Sequence, residues 1–340
     1  MRNLRIILPL AGILSAGLLV AAETGGTHAP NALRLSKYIL TVSNLEQTYA
    51  FYHALGINLD GATELKQPQK GAAANRTTGS PADSSFRNAN MKIPGTDFTF
   101  EAIELTGLER TPQRPRIQDP GASILFLRVR DVDAALAAVK KQGATVVTPG
   151  GAPMRNEKEK VRAVLVTDPD GFFVNLGQPD VIPPDAPDSL VISGRWGTVV
   201  QDAEKTARFY HDNFGFDVTT GAPDPSEPFL KIAGVPGAHY LSKRIQVPGT
   251  SRVWTFYEFQ NIDRKPVHFK VPDPGSLQLG FQVRDIDAAV AAFRSAGGAV
   301  VSTGGEIARR PNGGGGALVR DPDGIYLEVG QQGTPAPQAK

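Results

Sequence analysis

The 340-residue sequence contains no cysteine. Disulfides, thiolate zinc sites and thiol nucleophiles are thereby excluded, and the redox compartment is left open. An excess of one charge is also lacking. The 36 Lys and Arg stand against 34 Asp and Glu, a net charge of +2, so nothing in the balance calls for nucleic acid or an anionic membrane. Histidine is scarce at five residues, which limits any imidazole-based metal site. The N-terminal apolar run, Ile6–Val20, is broken by Pro9, Gly12, Ser15 and Gly17 and is shorter than the ~20 residues of a membrane span. Arg2 and Arg5 precede it, and Val20-Ala21-Ala22 offers small residues for cleavage before Glu23. That layout is a signal peptide's. The expectation is an exported protein, periplasmic or secreted, that keeps no stable membrane anchor once Met1–Ala22 is removed.

What the chain does contain, it contains twice. DVDAALAAVKKQGATVVTPG from Asp131 is echoed by DIDAAVAAFRSAGGAVVSTG from Asp285, an offset of 154 positions. LVTDPDGFFVNLG from Leu165 is echoed by LVRDPDGIYLEVG from Leu318, an offset of 153. Two anchors with nearly one offset indicate a duplicated module, and the length suits two domains. The first module spans residues 33–177 and the second 190–330, with a Pro-rich linker at 178–189 and a polar, disordered tail at 331–340.

Within each module the pattern is β-α-β-β-β, and then again. Leu35–Val42 is β-rich. Asn44 serves as an N-cap with Gln47 three residues on, and Leu45, Tyr49, Tyr52 and Leu55 fall on one helical face that Gly56 ends. Asp131 caps a second helix, and Asp170-Gly171 turns a hairpin between Val161–Thr167 and Phe172–Leu176. Ala62–Asn90 is a long polar stretch with no element of its own expected. The second module repeats the order, with helices carrying Ala203, Ala207, Tyr210 and Phe214 and then Ile286, Val290 and Phe293. The fold class expected is α+β: mixed sheets that curl into half-open cups, helices outside, and a cleft for a small-molecule ligand. Oligomeric state is not legible.

VSNLEQTYAFY (Val42–Tyr52), RVRDVDAALAAVKKQGA (Arg128–Ala144) and the two DPDG turns resemble the vicinal oxygen chelate superfamily, which includes glyoxalase I, extradiol dioxygenases and the bleomycin-resistance proteins. The resemblance covers both modules and implies a fold more than an activity. Its four metal positions fall on Lys37, Glu104, Ile124 and Asn175 in the first module, and on Arg195, Glu258, Gln278 and Glu328 in the second. Two pairings remain possible. A glyoxalase-like arrangement crosses the modules and joins Lys37, Glu104, Gln278 and Glu328 in one site, Arg195, Glu258, Ile124 and Asn175 in the other. A dioxygenase-like arrangement keeps Arg195, Gln278 and Glu328 together and lacks both histidines of an iron triad, which disfavours ring cleavage.

Three chemistries follow from the resemblance. Glu104, Gln278 and Glu328 supply three oxygen donors for a divalent metal of a glyoxalase-type lyase or isomerase. Alternatively, Lys37 and Arg195 pair with Glu104, Glu328 or Glu258 as salt bridges in former metal positions. In the third reading the cations capture an anionic ligand, with Arg195 and Glu258 as ligand-binding residues and Lys37 with Glu104 as a metal-free proton-transfer pair. A non-catalytic, sequestering protein of the bleomycin-resistance type is the rival to an enzyme. His53 and His211 occupy one shared structural slot, Trp196 and Trp254 suit core packing, Pro311–Gly316 reads as a loop at a cleft edge, and Arg155–Lys160 reads as a solvated loop.

Overall fold

A computed structural model describes residues 32–62, 64–220, 227–246 and 253–333. The expected signal segment and residues 334–340 of the expected tail lie outside the described residues. The four expected helices form, three behind their expected caps and the fourth behind Asp202. Asn44 accepts from the Gln47 amide at 2.9 Å and opens α1 (Leu45–His53). Asp131 opens α3 (Val132–Lys140), Asp202 opens α4 (Ala203–Phe214) and Asp285 opens α6 (Ile286–Ser295), each accepting amides of the first turn.

The chain falls into four similar quarters. The first holds β1 (Ala32–Thr41), α1, β2 (Asn58–Leu59), a helix α2 (Ala72–Thr78), β3 (Ser85–Lys92) and β4 (Thr99–Thr106). The second holds β5 (Ser123–Val129), α3, β6 (Thr145–Val146), β7 (Met154–Asn156), β8 (Val161–Thr167) and β9 (Phe173–Pro179). The third holds β10 (Val191–Val199), α4, β11 (Asp217–Thr220), a short helix α5 (Glu227–Ile232), β12 (His239–Gln246) and β13 (Val253–Gln260). The fourth holds β14 (Leu277–Val283), α6, β15 (Ala299–Val300), β16 (Ala308–Arg309), β17 (Gly315–Arg320) and β18 (Tyr326–Gln331). The polar stretch at residues 62–90, in which the sequence marks no element, carries α2 and most of β3. The expected tail begins one residue inside β18, and the expected linker begins inside β9.

The quarters exchange partners across the modules. One nine-stranded sheet runs β15-β17-β18-β14-β1-β4-β3-β2 with β16 on β17, so the first quarter pairs with the fourth. The other runs β11-β12-β13-β10-β5-β9-β8-β6 with β7 on β8, so the third pairs with the second. In each, the central seam is antiparallel: Lys37 stands opposite Gly280, and Arg195 opposite Phe126. The strands flanking that seam, β4 and β18 in one sheet and β13 and β9 in the other, run parallel to their neighbours.

Side chains alternate across each strand, which gives each sheet two unlike faces. One face of both sheets joins the helices in a single large core containing Leu40, Phe51, Tyr52, Leu125, Phe256 and Phe293. Tyr38 and Trp196, equivalent residues of β1 and β10, stack there at 5.0 Å between ring centres. The opposite face of each sheet is concave and carries its own cavity.

The DPDG turns tie each module together. Asp168 accepts from the amides of Asp170 and Phe172, both at 2.9 Å, and from the Tyr52 hydroxyl of α1 at 3.0 Å. Asp321 repeats this with the amides of Asp323 and Ile325 and the Tyr210 hydroxyl of α4. Both aspartates are buried, and burial together with the neighbouring aspartate's charge raises each carboxyl to about 7.

Candidate functional site

The first cavity opens on the sheet shared by the first and fourth quarters and measures about 1050 Å³ including its mouth. Its floor is the seam of β1 and β14 with the strands beside it. The alternation of β4 decides which residues enter: Glu101, Ile103 and Leu105 line the cavity, together with Lys37 and Ile39 of β1, Gln278 of β14 and Glu328 of β18. Arg76, Thr77 and Thr78 of α2, Arg309 at the end of β16 and Arg310 after it also line the cavity.

Lys37 donates its ammonium to Glu101 as a short ion pair, and Asn88 of β3 donates to the other oxygen of the same carboxylate. Glu101 is 5 % exposed. Burial pulls the Lys37 ammonium down, but the charges of Glu101 and Glu328 and the bond to Glu101 outweigh it and raise Lys37 above its ordinary value. It is therefore a cation at neutral pH. Burial raises the carboxyl of Glu328, assisted by the charge of Glu101 and opposed by Lys37 and Arg310. Gln278 is buried, with its amide nitrogen 3.3 Å from the Thr41 hydroxyl.

Of the expected residues, Lys37, Gln278 and Glu328 are thus brought into one cavity, in the pairing that crosses the modules. Glu104 is not among them. It projects from the opposite face of β4, three residues along from Glu101, and accepts the Leu45 amide at 2.8 Å at the start of α1 and the Arg87 guanidinium at 2.7 Å. Glu258, its counterpart on β13, likewise accepts the Ala203 amide at 3.0 Å at the start of α4. Both carboxylates are helix caps, placed where the helix dipole favours negative charge. Lys37 with Glu104 is therefore not a contact pair, and neither is Arg195 with Glu258. The residue that pattern-reading missed, Glu101, could have been found by parity: on one strand, only positions an even number apart share a face.

A divalent ion does not fit this donor set. The two oxygens of Glu101 already hold Lys37 and Asn88, and the ammonium sits where a second cation would be repelled. Among the described residues no group of three or more His, Asp or Glu side chains is placed to hold a metal ion.

The second cavity, about 590 Å³ including its mouth, opens on the other sheet. The Arg195 guanidinium lies 4.1 Å over the centre of the Phe126 ring and donates to the Tyr257 hydroxyl at 2.7 Å. Asn175 and Ser193 line the same cavity, and Ile124 is buried in the core beneath it. Glu159, from the segment expected to be only a solvated loop, also lines it and pairs with Arg128 at 3.1 Å.

The remaining expectations concern packing. Trp196 and Trp254 are each 1 % exposed and belong to the core. His53 Nδ1 lies 2.8 Å from the Asn58 side-chain oxygen, and His211 Nδ1 lies 2.9 Å from the Phe216 carbonyl. Both sit outside the cavities. No helix of the described residues is long and apolar enough to cross a membrane.

Solved structures with the same architecture include glyoxalase I from Zea mays, 16 % identical with a TM-score of 0.54, covering 88 % of this chain and 92 % of that one. A putative dioxygenase from Bacillus subtilis is 13 % identical with a TM-score of 0.48, covering 89 % and 86 %. Among curated proteins, none matches the chain. The family model described as Glyoxalase/Bleomycin resistance protein/Dioxygenase superfamily matches twice, over residues 34–176 and 194–329, once on each repeat. By that double match, which takes in both cavities and nearly all the described residues, the chain belongs to the glyoxalase/bleomycin resistance protein/dioxygenase superfamily.

Proposed function

We infer that the first cavity binds a small, negatively charged, oxygen-bearing molecule and moves a proton on it without a divalent ion. The observation that carries this reading is the placement of Lys37 against buried Glu101, with Glu328 in the same cavity. The lining holds four cations, Lys37, Arg76, Arg309 and Arg310, of which Arg309 pairs with Asp287 outside the cavity, so three stand against two lining carboxylates and draw anions inward. Glu328 is the base: burial raises its carboxyl and makes it a stronger proton acceptor than an ordinary glutamate. Lys37 supplies positive charge to the oxygen on which negative charge develops, and Glu101 and Asn88 hold the ammonium in position. The reaction class is proton abstraction beside a carbonyl, as in an isomerisation.

Capture without chemistry is the rival in the same cavity. It is favoured by Glu101, whose two oxygens are both engaged and which is thus a fixed counter-charge, not a free base. One measurement separates the readings. Small 2-oxo and 2-hydroxy acids are incubated with the protein in deuterium oxide and followed by proton NMR. Exchange of a carbon-bound proton that is lost in Glu328→Gln and insensitive to EDTA supports the proposal. Saturable binding with no exchange gives the sequestering reading, and exchange that requires added manganese or zinc overturns the metal-free assignment.

The layout of Met1–Ala22 carries the accompanying proposal of export. Protein recovered from the periplasm or medium should begin at Glu23; a cytoplasmic product that retains Met1 would reject it.

A further inference from the structure

The second cavity has a chemistry of its own. Arg128 and Glu159 neutralise one another at 3.1 Å, and no carboxylate among the described residues forms an ion pair with Arg195. The Arg195 guanidinium is thus a half-buried cation whose partners are uncharged: the Phe126 ring beneath it and the Tyr257 hydroxyl on one nitrogen. A guanidinium carries five N–H donors, and stacking on a ring leaves the donor edges free to grip a carboxylate in the plane. Asn175 and Ser193 add neutral polar groups to the same cavity, while Phe126, Phe229, Ile232, Val161 and Ala163 make the rest of its wall apolar. One uncompensated positive charge in an aromatic and aliphatic cup matches a ligand with one negative charge and an apolar body.

We propose that the second cavity is a receptor for a small aromatic or aliphatic monocarboxylate, held by Arg195 and independent of the chemistry in the first cavity. The sequence supports a specific device. Phe126 stands at the strand position that Gly280 occupies opposite Lys37, so the second cup has a ring where the first has only a glycine beside the lysine stem. That ring preorients the guanidinium, and a preoriented cation loses less freedom on binding. Burial lowers the guanidinium's affinity for its proton, but Tyr257, with smaller contributions from Glu159 and Tyr240, more than offsets this, so Arg195 stays charged at every pH at which the fold is studied.

The test uses 4-bromobenzoate and its neutral isostere 4-bromobenzamide. Isothermal titration of the full chain should give saturable, single-site binding of the carboxylate and a weaker response to the amide. Arg195→Met should weaken the carboxylate by at least about tenfold, the scale of one charge-assisted pair. Asn175→Asp changes almost no volume but adds a carboxylate to the lining of the same cup, and should weaken it similarly while the protein still melts cooperatively; this variant decides the matter if Arg195→Met does not fold. In crystals soaked with the probe, the bromine's anomalous signal should fall in the cup between Phe126 and Phe229. Binding that survives both variants, a bromine located in the first cavity, or equal affinity for the amide would each overturn the assignment.

Discussion

The two cups share one pattern and differ at four equivalent strand positions. Lys37 corresponds to Arg195, Glu101 to Thr255, Gln278 to Ile124, and Glu328 to Asn175. The first cup has two carboxylates around its cation; the second has none bound to it. Gly280 explains part of the difference sterically. A Cβ there would stand 2.5 Å from the Ser36 hydroxyl and 3.2 Å from Cγ of Lys37, so glycine leaves room for the lysine stem, whereas Phe126 fills that space and forms a platform for Arg195. The supporting turns have not diverged in the same way. Asp168 with Tyr52 and Asp321 with Tyr210 keep the same bonds in both modules, since they hold the helices to the sheets whatever the cups contain.

This contrast between unlike cups and like turns is sharpened most by pH. A carboxyl raised in the folded state to about 7, against an ordinary value near 4, keeps its proton on folding. Its stabilising effect is complete below the unfolded value and is lost as pH rises through about 7. Between pH 5 and 8 stability should fall by about 2–3 kcal/mol for each aspartate. The slope is roughly 1.4 kcal/mol per pH unit wherever the folded protein holds one proton more than the unfolded chain. Urea midpoints at four pH values would measure it. Asp168→Asn and Asp321→Asn should each remove a similar share of the slope, because asparagine still accepts the two amides and can receive or give a bond to tyrosine. Unequal shares would break the equivalence of the turns. A flat profile would mean that three hydrogen bonds hold each carboxylate ionised against its burial.

The next contrast lies inside the cups. Lys37→Met strands Glu101 without its counter-ion and leaves Glu328 with the more distant charge of Arg310. Breaking one side of such a pair costs about 3 kcal/mol, allowing for the partial exposure of the lysine. Arg195→Met removes a cation that neutralises nothing; the loss of its contact with Phe126 costs about 1 kcal/mol. Equilibrium denaturation at pH 7 compares the two directly. Equal costs would show that Arg195 has an anionic partner in solution and would erase the distinction between the cups.

Much of this organisation was legible in the residues. The repeats, the four capped helices and the α+β class follow from offsets, Asn/Asp caps and glycine stops, all local in sequence. The cross-module sheets were legible only as one of two pairings, since strand partnership is a long-range choice that composition does not encode. No element was marked in the stretch at residues 62–90 because β3 is polar on both faces: Asn88 meets Glu101 on the cavity side and Arg87 meets Glu104 on the helix side, so the alternation that marks a half-buried strand is muted. Lys37, Gln278 and Glu328 were found by position within a motif. Glu101 was not, because EAIEL offers two glutamates three apart, and only the register of β4 on β1 tells which one enters the cup.

That choice between two glutamates yields the smallest test. Glu104 and Glu258 each accept the first amide of a helix, Leu45 of α1 and Ala203 of α4. A neutral glutamine keeps the shape and one acceptor but loses the charge that complements the helix dipole. Glu258→Gln should cost about 1 kcal/mol, and Glu104→Gln slightly more, about 1.5 kcal/mol, because Arg87 then keeps only Glu46 as an ionic partner. Neither should alter proton exchange in the first cavity or carboxylate binding in the second, since both side chains lie on the helix-facing side of their strands. If Glu104→Gln abolished exchange as completely as Glu328→Gln while costing no stability, then the carboxylate of Glu104 would be the chemical one, and β4 would have to present its other face to the cup in solution.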